Sequence, residues 1–159
     1  MQFLFMGLFV AIVTVLDQLS KVWVVENIPL YTRIDAIPGL FHLTYVQNTG
    51  AAFSAFEGMR WLFVLIFLLF AAGIIWEFSK HKMGFDRFER WCIVAVFAGG
   101  LGNMIDRLRL GYVVDMIEVE FIHFPVFNVA DCFITCGSIL LLVHLFLFNR
   151  EFWKEDNKK

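Results

Sequence analysis

The chain has 159 residues, of which 60% are hydrophobic, with twenty Phe, only three Pro and a mean hydropathy of +0.72. That excludes an ordinary soluble domain, whose apolar fraction is about 45–50%, and leaves room for one membrane domain of about four spans of roughly 20 residues. The net charge of −2 carries no basic stripe with interleaved aromatics, so no nucleic-acid partner is expected, and three Cys without C-x-x-C spacing imply neither a disulfide framework nor a metal site.

The first apolar segment, Phe3 to Val25, lacks the basic start and small-residue cleavage site of a secretory leader, so it is expected to be a retained helix. Asp17 and Lys21 interrupt it at i and i+4, the spacing of an in-helix ion pair in a supporting role. The connection from Glu26 to Arg60 is too long for a simple hairpin. Within it Ile34–Ile37 and Phe41–Val46 alternate as strands do, with Pro38-Gly39 as the turn, which predicts a small sheet at the membrane surface. A second helix is expected over Trp61 to Phe78. The loop after it, Ser79 to Arg90, carries Lys80, Lys82, Arg87 and Arg90.

The third predicted helix, Trp91 to Leu108, holds Gly99, Gly100 and Gly102 after Ala95 and Ala98, a pattern of close helix contacts. It ends on Asn103, Asp106 and Arg107, the last two being either a charge pair or substrate contacts. Tyr112 to Ile122 reads as another extended stretch and contains Asp115. The fourth helix is expected over Asp131 to Phe148, with Asn128 and Asp131 spaced as an N-terminal capping box. The tail carries Arg150, Lys154, Lys158 and Lys159. Basic loops stay inside, so both termini are expected in the cytoplasm and segments 26–60 and 109–130 outside. The fold class is thus an all-α membrane protein, a four-helix bundle with a small β-rich connection at the outer surface. His42, His81, His123 and His144 are too dispersed to form a metal site, and the Cys read as packing residues.

This topology collects Asp17, Lys21, Asn103, Asp106, Arg107 and Asp131 at the outer ends of their helices, with Asn48 and Asp115 in the adjoining connections. Charges at membrane depth cost on the order of 2.5–3.5 kcal/mol each, so an intramembrane acid is first read as functional. Asp115 stands among Val113, Val114, Met116 and Ile117 with no cap to serve. If it meets Asp131, two carboxylates in one partly dry cavity hold one proton between them, and the pair offers both an acid and a base. The apolar flanks of Asp115 favour its holding that proton, which leaves Asp131 as the base toward water. A proton-coupled transporter or channel subunit is the alternative, although such proteins place acids near the midplane and often show repeated halves.

Asp17-Gln18-Leu19-Ser20-Lys21, Asn48-Thr49-Gly50-Ala51-Ala52-Phe53, Gly102-Asn103-Met104-Ile105-Asp106-Arg107, Val113-Val114-Asp115 and Phe124 to Asp131 resemble, in order, the five signature blocks of lipoprotein signal peptidase, also called signal peptidase II. The resemblance implies a bacterial inner-membrane aspartic endopeptidase. Such an enzyme cuts prolipoproteins just before the cysteine that carries a diacylglyceryl group, needs no metal or cofactor, and has membrane lipids around it. It implies Asp115 and Asp131 as the catalytic dyad, with Asn48, Gly50, Asn103, Asp106, Arg107 and Asn128 around the substrate and Asp17 and Lys21 in support. A monomer is compatible with it. Met116 departs from the pattern, standing where the family usually has an aromatic residue. The Gly-x-Gly-Asp of presenilin-like proteases fails, because Gly102 is followed by Asn103.

Overall fold

The computed structural model describes residues 1–50, 56–80 and 83–149. Ala51–Phe53 of the second block, His81, Lys82 and the basic tail from Arg150 lie outside the described residues. Seven elements follow in chain order: α1 (Gln2–Asn27), β1 (Arg33–Ile37), β2 (Phe41–Asn48), α2 (Arg60–Lys80), α3 (Arg87–Arg109), β3 (Val113–Val119) and α4 (Val129–Leu147). All four helices are long and apolar enough to cross a membrane.

Two helices begin before their apolar runs do, for the same reason. Asp86 Oδ1 accepts the Glu89 N–H and Glu89 Oε2 accepts the Asp86 N–H, both at 2.9 Å, so α3 starts about a turn ahead of Trp91. At α4, Asn128 Oδ1 accepts from Asp131 N at 3.0 Å and Asp131 Oδ2 from Asn128 N at 3.1 Å. The expected capping box is present, but it makes Asp131 the third residue of the helix and not its first.

α3 is the most buried of the four helices and packs against each of the others. Lipid is as apolar as leucine, so helices associate there through close fit and polar contacts. Small residues supply the fit. A Cβ on Gly99 would meet the carbonyl oxygen of Ala130, and one on Gly137 would lie 3.0 Å from the Cys92 oxygen. The large apolar side chains face outward instead, among them Leu8, Ile12, Leu69, Leu140 and Phe146.

The strands form an antiparallel sheet in the order β1-β2-β3. Gly39, at φ +78°, makes the turn between β1 and β2. Apolar residues of β2 and β3 (Tyr45, Val114 and Met116) pack with Val24 and Ile28 at the end of α1, which seats the sheet on the bundle. Met116 fills a place in that cluster, so the departure noted in the sequence is absorbed by packing. The register pairs Val46 with Asp115 and Asn48 with Val113. Asn48 and Asp115 are therefore diagonal neighbours on one face, within reach of each other's side chains.

Candidate active site

The site is built on a buried ion cluster. Lys21 Nζ lies 2.9 Å from Asp17 Oδ2, 3.0 Å from Asp106 Oδ2 and 2.9 Å from Asn103 Oδ1, one partner for each ammonium proton. Asp17 and Lys21 form the expected pair, and at 0% and 2% exposure they are sealed from solvent. Each carboxylate also holds backbone. Asp17 Oδ1 accepts the Ala130 N–H in the first turn of α4 at 3.0 Å, and Asp106 Oδ2 accepts the Val114 N–H of β3 at 3.1 Å. Thus one lysine ties α1 to α3, and its two acids fix the elements that carry Asp131 and Asp115. Gly102 belongs to this arrangement, because a Cβ there would meet Asp17 Oδ2.

Gln18, which the sequence reading left unassigned inside its block, completes the cluster. Its Nε2 donates to Asp106 Oδ1 at 2.9 Å and to Gly102 O at 3.2 Å. Asp106 and Arg107 do not form the charge pair considered above. Consecutive residues on an α-helix diverge by about 100°, so Asp106 turns to Lys21 while Arg107 Nη2 donates to the Gly50 carbonyl at 2.9 Å.

Three asparagines then orient the two aspartates. Asn103 Oδ1 already accepts from Lys21 and from Asn128 Nδ2, so its Nδ2 is the group left to donate, and it does so to Asp131 Oδ1 at 2.7 Å. Asn128 Oδ1 is occupied by the Asp131 N–H, which turns its Nδ2 to Asp115 Oδ1 at 2.7 Å. Asn48 Oδ1 accepts the Gly50 N–H at 2.9 Å, and its Nδ2 donates to Asp115 Oδ2 at 2.8 Å. In each amide the oxygen is committed to a donor, so the nitrogen faces an acid. Asn128 touches both aspartates.

The two acids have different surroundings. Asp115 is 2% exposed, whereas Asp131 is partly exposed. Burial pushes the Asp115 carboxyl up from its ordinary range to about 7, and the nearby Asp131 adds to the rise. Hydrogen bonds from Asn48 and Asn128 and the charge of Lys21 act in the opposite sense. Near neutral pH Asp115 is thus divided between acid and carboxylate, beside a second carboxyl that is open to an approaching molecule. Such a pair can both give and take a proton.

Further polar residues that the sequence reading did not connect lie about 25 Å away along α3. Glu89, at 0% exposure, accepts from Asn149 Nδ2 at 2.7 Å, and its other oxygen lies 3.1 Å from His144 Nδ1. His144 stands apart from the other histidines in the sequence, but it has acidic partners in the fold. Its neighbours are the acids of the α3 capping box, so it closes the far end of α4 onto the start of α3. The signal in the sequence was Asp86-x-x-Glu89.

Known proteins resemble this chain over most of its length. A family model described as signal peptidase (SPase) II matches residues 9–147. The lipoprotein signal peptidase of Streptococcus agalactiae serotype Ia is 44% identical over 145 residues, covering 89% of this chain and 87% of that one. That of Streptococcus pyogenes serotype M1 is 44% identical over 142 residues, covering 89% and 88%. Two solved bacterial membrane enzymes superpose with TM-scores of 0.83 and 0.80 at 29% and 30% identity, over 97% and 91% of this chain and 92% and 94% of theirs. Spanning helices, a bundle-seated sheet and this breadth of similarity identify a multi-pass membrane peptidase: the chain belongs to the signal peptidase II family.

Proposed function

We propose that this chain is an aspartic endopeptidase that removes the signal peptide from diacylglyceryl-modified prolipoproteins, cutting before the lipid-bearing cysteine, with Asp115 and Asp131 as its dyad. The observation that carries the assignment is the Asn128 amide, which donates to Asp115 and caps onto Asp131, so that two carboxyls share one rigid frame. Asp131, the more exposed, takes a proton from water as the water oxygen attacks the scissile carbonyl. Asp115 gives its proton to the carbonyl oxygen, and a tetrahedral diol forms. Collapse of the diol breaks the C–N bond, and a proton from the dyad neutralises the departing amine.

Arg107 and Asn48 stand beside the dyad with further N–H groups to offer an extended substrate backbone, and the Gly50 peptide is held between them. Asn103 and Asn128 orient the acids, and Asp17, Lys21 and Asp106 support them from behind. The basic loops support a reading with both termini in the cytoplasm of a bacterial inner membrane and the site at the outer leaflet, where a diacylglyceryl chain can remain in lipid while its cysteine reaches the dyad. The decisive measurement is cleavage of a lipid-modified prolipoprotein by the purified protein in chelator-treated buffer. Cleavage before the modified cysteine, lost in Asp115→Asn and in Asp131→Asn, is expected. Full turnover by either variant would remove that residue from the mechanism.

A further inference from the structure

Among the described hydrogen bonds around Asp115 and Asp131, none comes from α2, yet one α2 side chain reaches the network. The Arg107 guanidinium carbon lies 4.4 Å over the centre of the Phe63 ring. From there a line of contacts leads to the dyad. Arg107 donates to the Gly50 carbonyl, the Gly50 N–H donates to Asn48 Oδ1, and Asn48 Nδ2 donates to Asp115. Gly50 is gripped at both ends of its residue, so the direction of the Asn48 amide depends on where Arg107 holds it.

An arginine has several rotamers and a planar face, and the negative face of an aromatic ring is what confines that plane where water is scarce. Phe63 does not supply the general packing of α2 by itself. One turn along, Phe67 stacks on Phe97 at 5.4 Å and lies against Gly100 of α3.

We infer that Phe63 is a positioning residue for the reaction proposed above: its ring fixes Arg107 on Gly50 and thereby fixes the Asn48 amide on Asp115. The inference rests on that reading of the dyad, so the experiment keeps the two apart. Asp115→Asn tests the dyad, and the Phe63 series is read only against wild-type turnover. Phe63→Leu removes the ring and keeps an apolar side chain, and Phe63→Trp restores an aromatic face. Phe67→Leu disturbs the same helix pair without touching Arg107.

The expected result for Phe63→Leu is a fall in kcat of about tenfold, the loss of one cation–π contact, with KM changed less. Its alkaline limb of activity should also move to higher pH, because the Asn48 hydrogen bond is one of the influences that hold Asp115 down. Asp115 also faces Asp131 from α4 and Lys21 from α1, which the substitution leaves in place, and Arg107 from α3, whose displacement would remove a nearby positive charge and move the limb in the same direction. Phe63→Trp should recover kcat and the pH limb to within about twofold, and Phe67→Leu should keep both. In an Arg107→Lys background, Phe63→Leu should cost nothing further. If Phe63→Leu lowers the thermal midpoint, Phe63→Met, unbranched and closer in volume, gives the same reading. Wild-type kcat and pH limb in the Leu and Met variants would overturn the inference. So would equal losses in Phe63→Leu and Phe67→Leu with an unmoved limb.

Discussion

Asp115 carries opposing demands within one side chain. Burial raises its proton affinity, and two amide donors lower it, leaving the group near 7. If it is the acid of the dyad, kcat should fall as pH rises through about 7, and a rate profile with no limb there would assign the proton elsewhere. Asp115→Asn and Asp131→Asn should each lower turnover by a factor on the order of 10³ or more while leaving inserted, folded protein. The same shift has a stability consequence. A carboxyl whose folded value lies above its unfolded value stabilises the fold fully below the unfolded value, and that contribution is lost as pH rises through the folded one. The window therefore runs from about 4 to about 7. Across it wild type should lose stability relative to Asp115→Asn, by up to roughly 1.4 kcal/mol per pH unit. Thermal midpoints of the two proteins at pH 5 and pH 8 measure this, and a difference that does not change with pH would refute it.

At the scale of elements, the ion cluster decides where β3 and α4 sit. Lys21→Met leaves Asp17 and Asp106 buried without their cation, at a cost of roughly 3–5 kcal/mol. The expected outcome is a thermal midpoint lower by on the order of 10 °C, with residual activity in the folded fraction. An inactive Lys21→Met of unchanged midpoint would move Lys21 into the chemistry. Gly102→Ala brings a methyl against Asp17 Oδ2 and should destabilise by about 1–3 kcal/mol, as overpacking does. Gly73→Ala, in α2 with nothing within 4 Å of its new Cβ, should be neutral or slightly stabilising. Equal midpoints for the two alanine variants would show that the α1–α3 fit has slack.

For the whole molecule, polar groups are inside and apolar side chains outside over most of the four helices, the reverse of a soluble bundle. Lipid covers the outer face, and the closed polar network satisfies what it cannot. Orientation rests on the basic loops. A reporter active only outside the cell should work when fused after Gly111 and fail when fused in the loop from Ser79 to Arg90 or at the C-terminus. The opposite pattern would place the dyad at the inner leaflet and leave a lipid-modified, exported substrate on the wrong side.

The four spans, the strand pair around Pro38-Gly39 and the capping box at Asn128 were legible in the chain, because hydropathy, turn chemistry and helix capping act within a few residues. The signature blocks named the family for the same reason: each is local and readable in order. Helix starts at Arg87 and Val129 were displaced, since capping begins a helix before its apolar face does. What the chain could not show is which polar side chain meets which. Lys21 and Asn103 are 82 residues apart, and Asn48 and Asp115 are 67. Only strand register and the glycine-permitted approach of α1, α3 and α4 bring them together. The local pattern Asp86-x-x-Glu89 marks a helix start, but no local pattern ties Glu89 to His144, Gln18 to Asp106 or Phe63 to Arg107, because these partners are distant along the chain. The acids were visible as a cost in a membrane, while their shared amide is a product of tertiary packing: hydrogen bonds act over about 3 Å in space, whatever the distance along the chain.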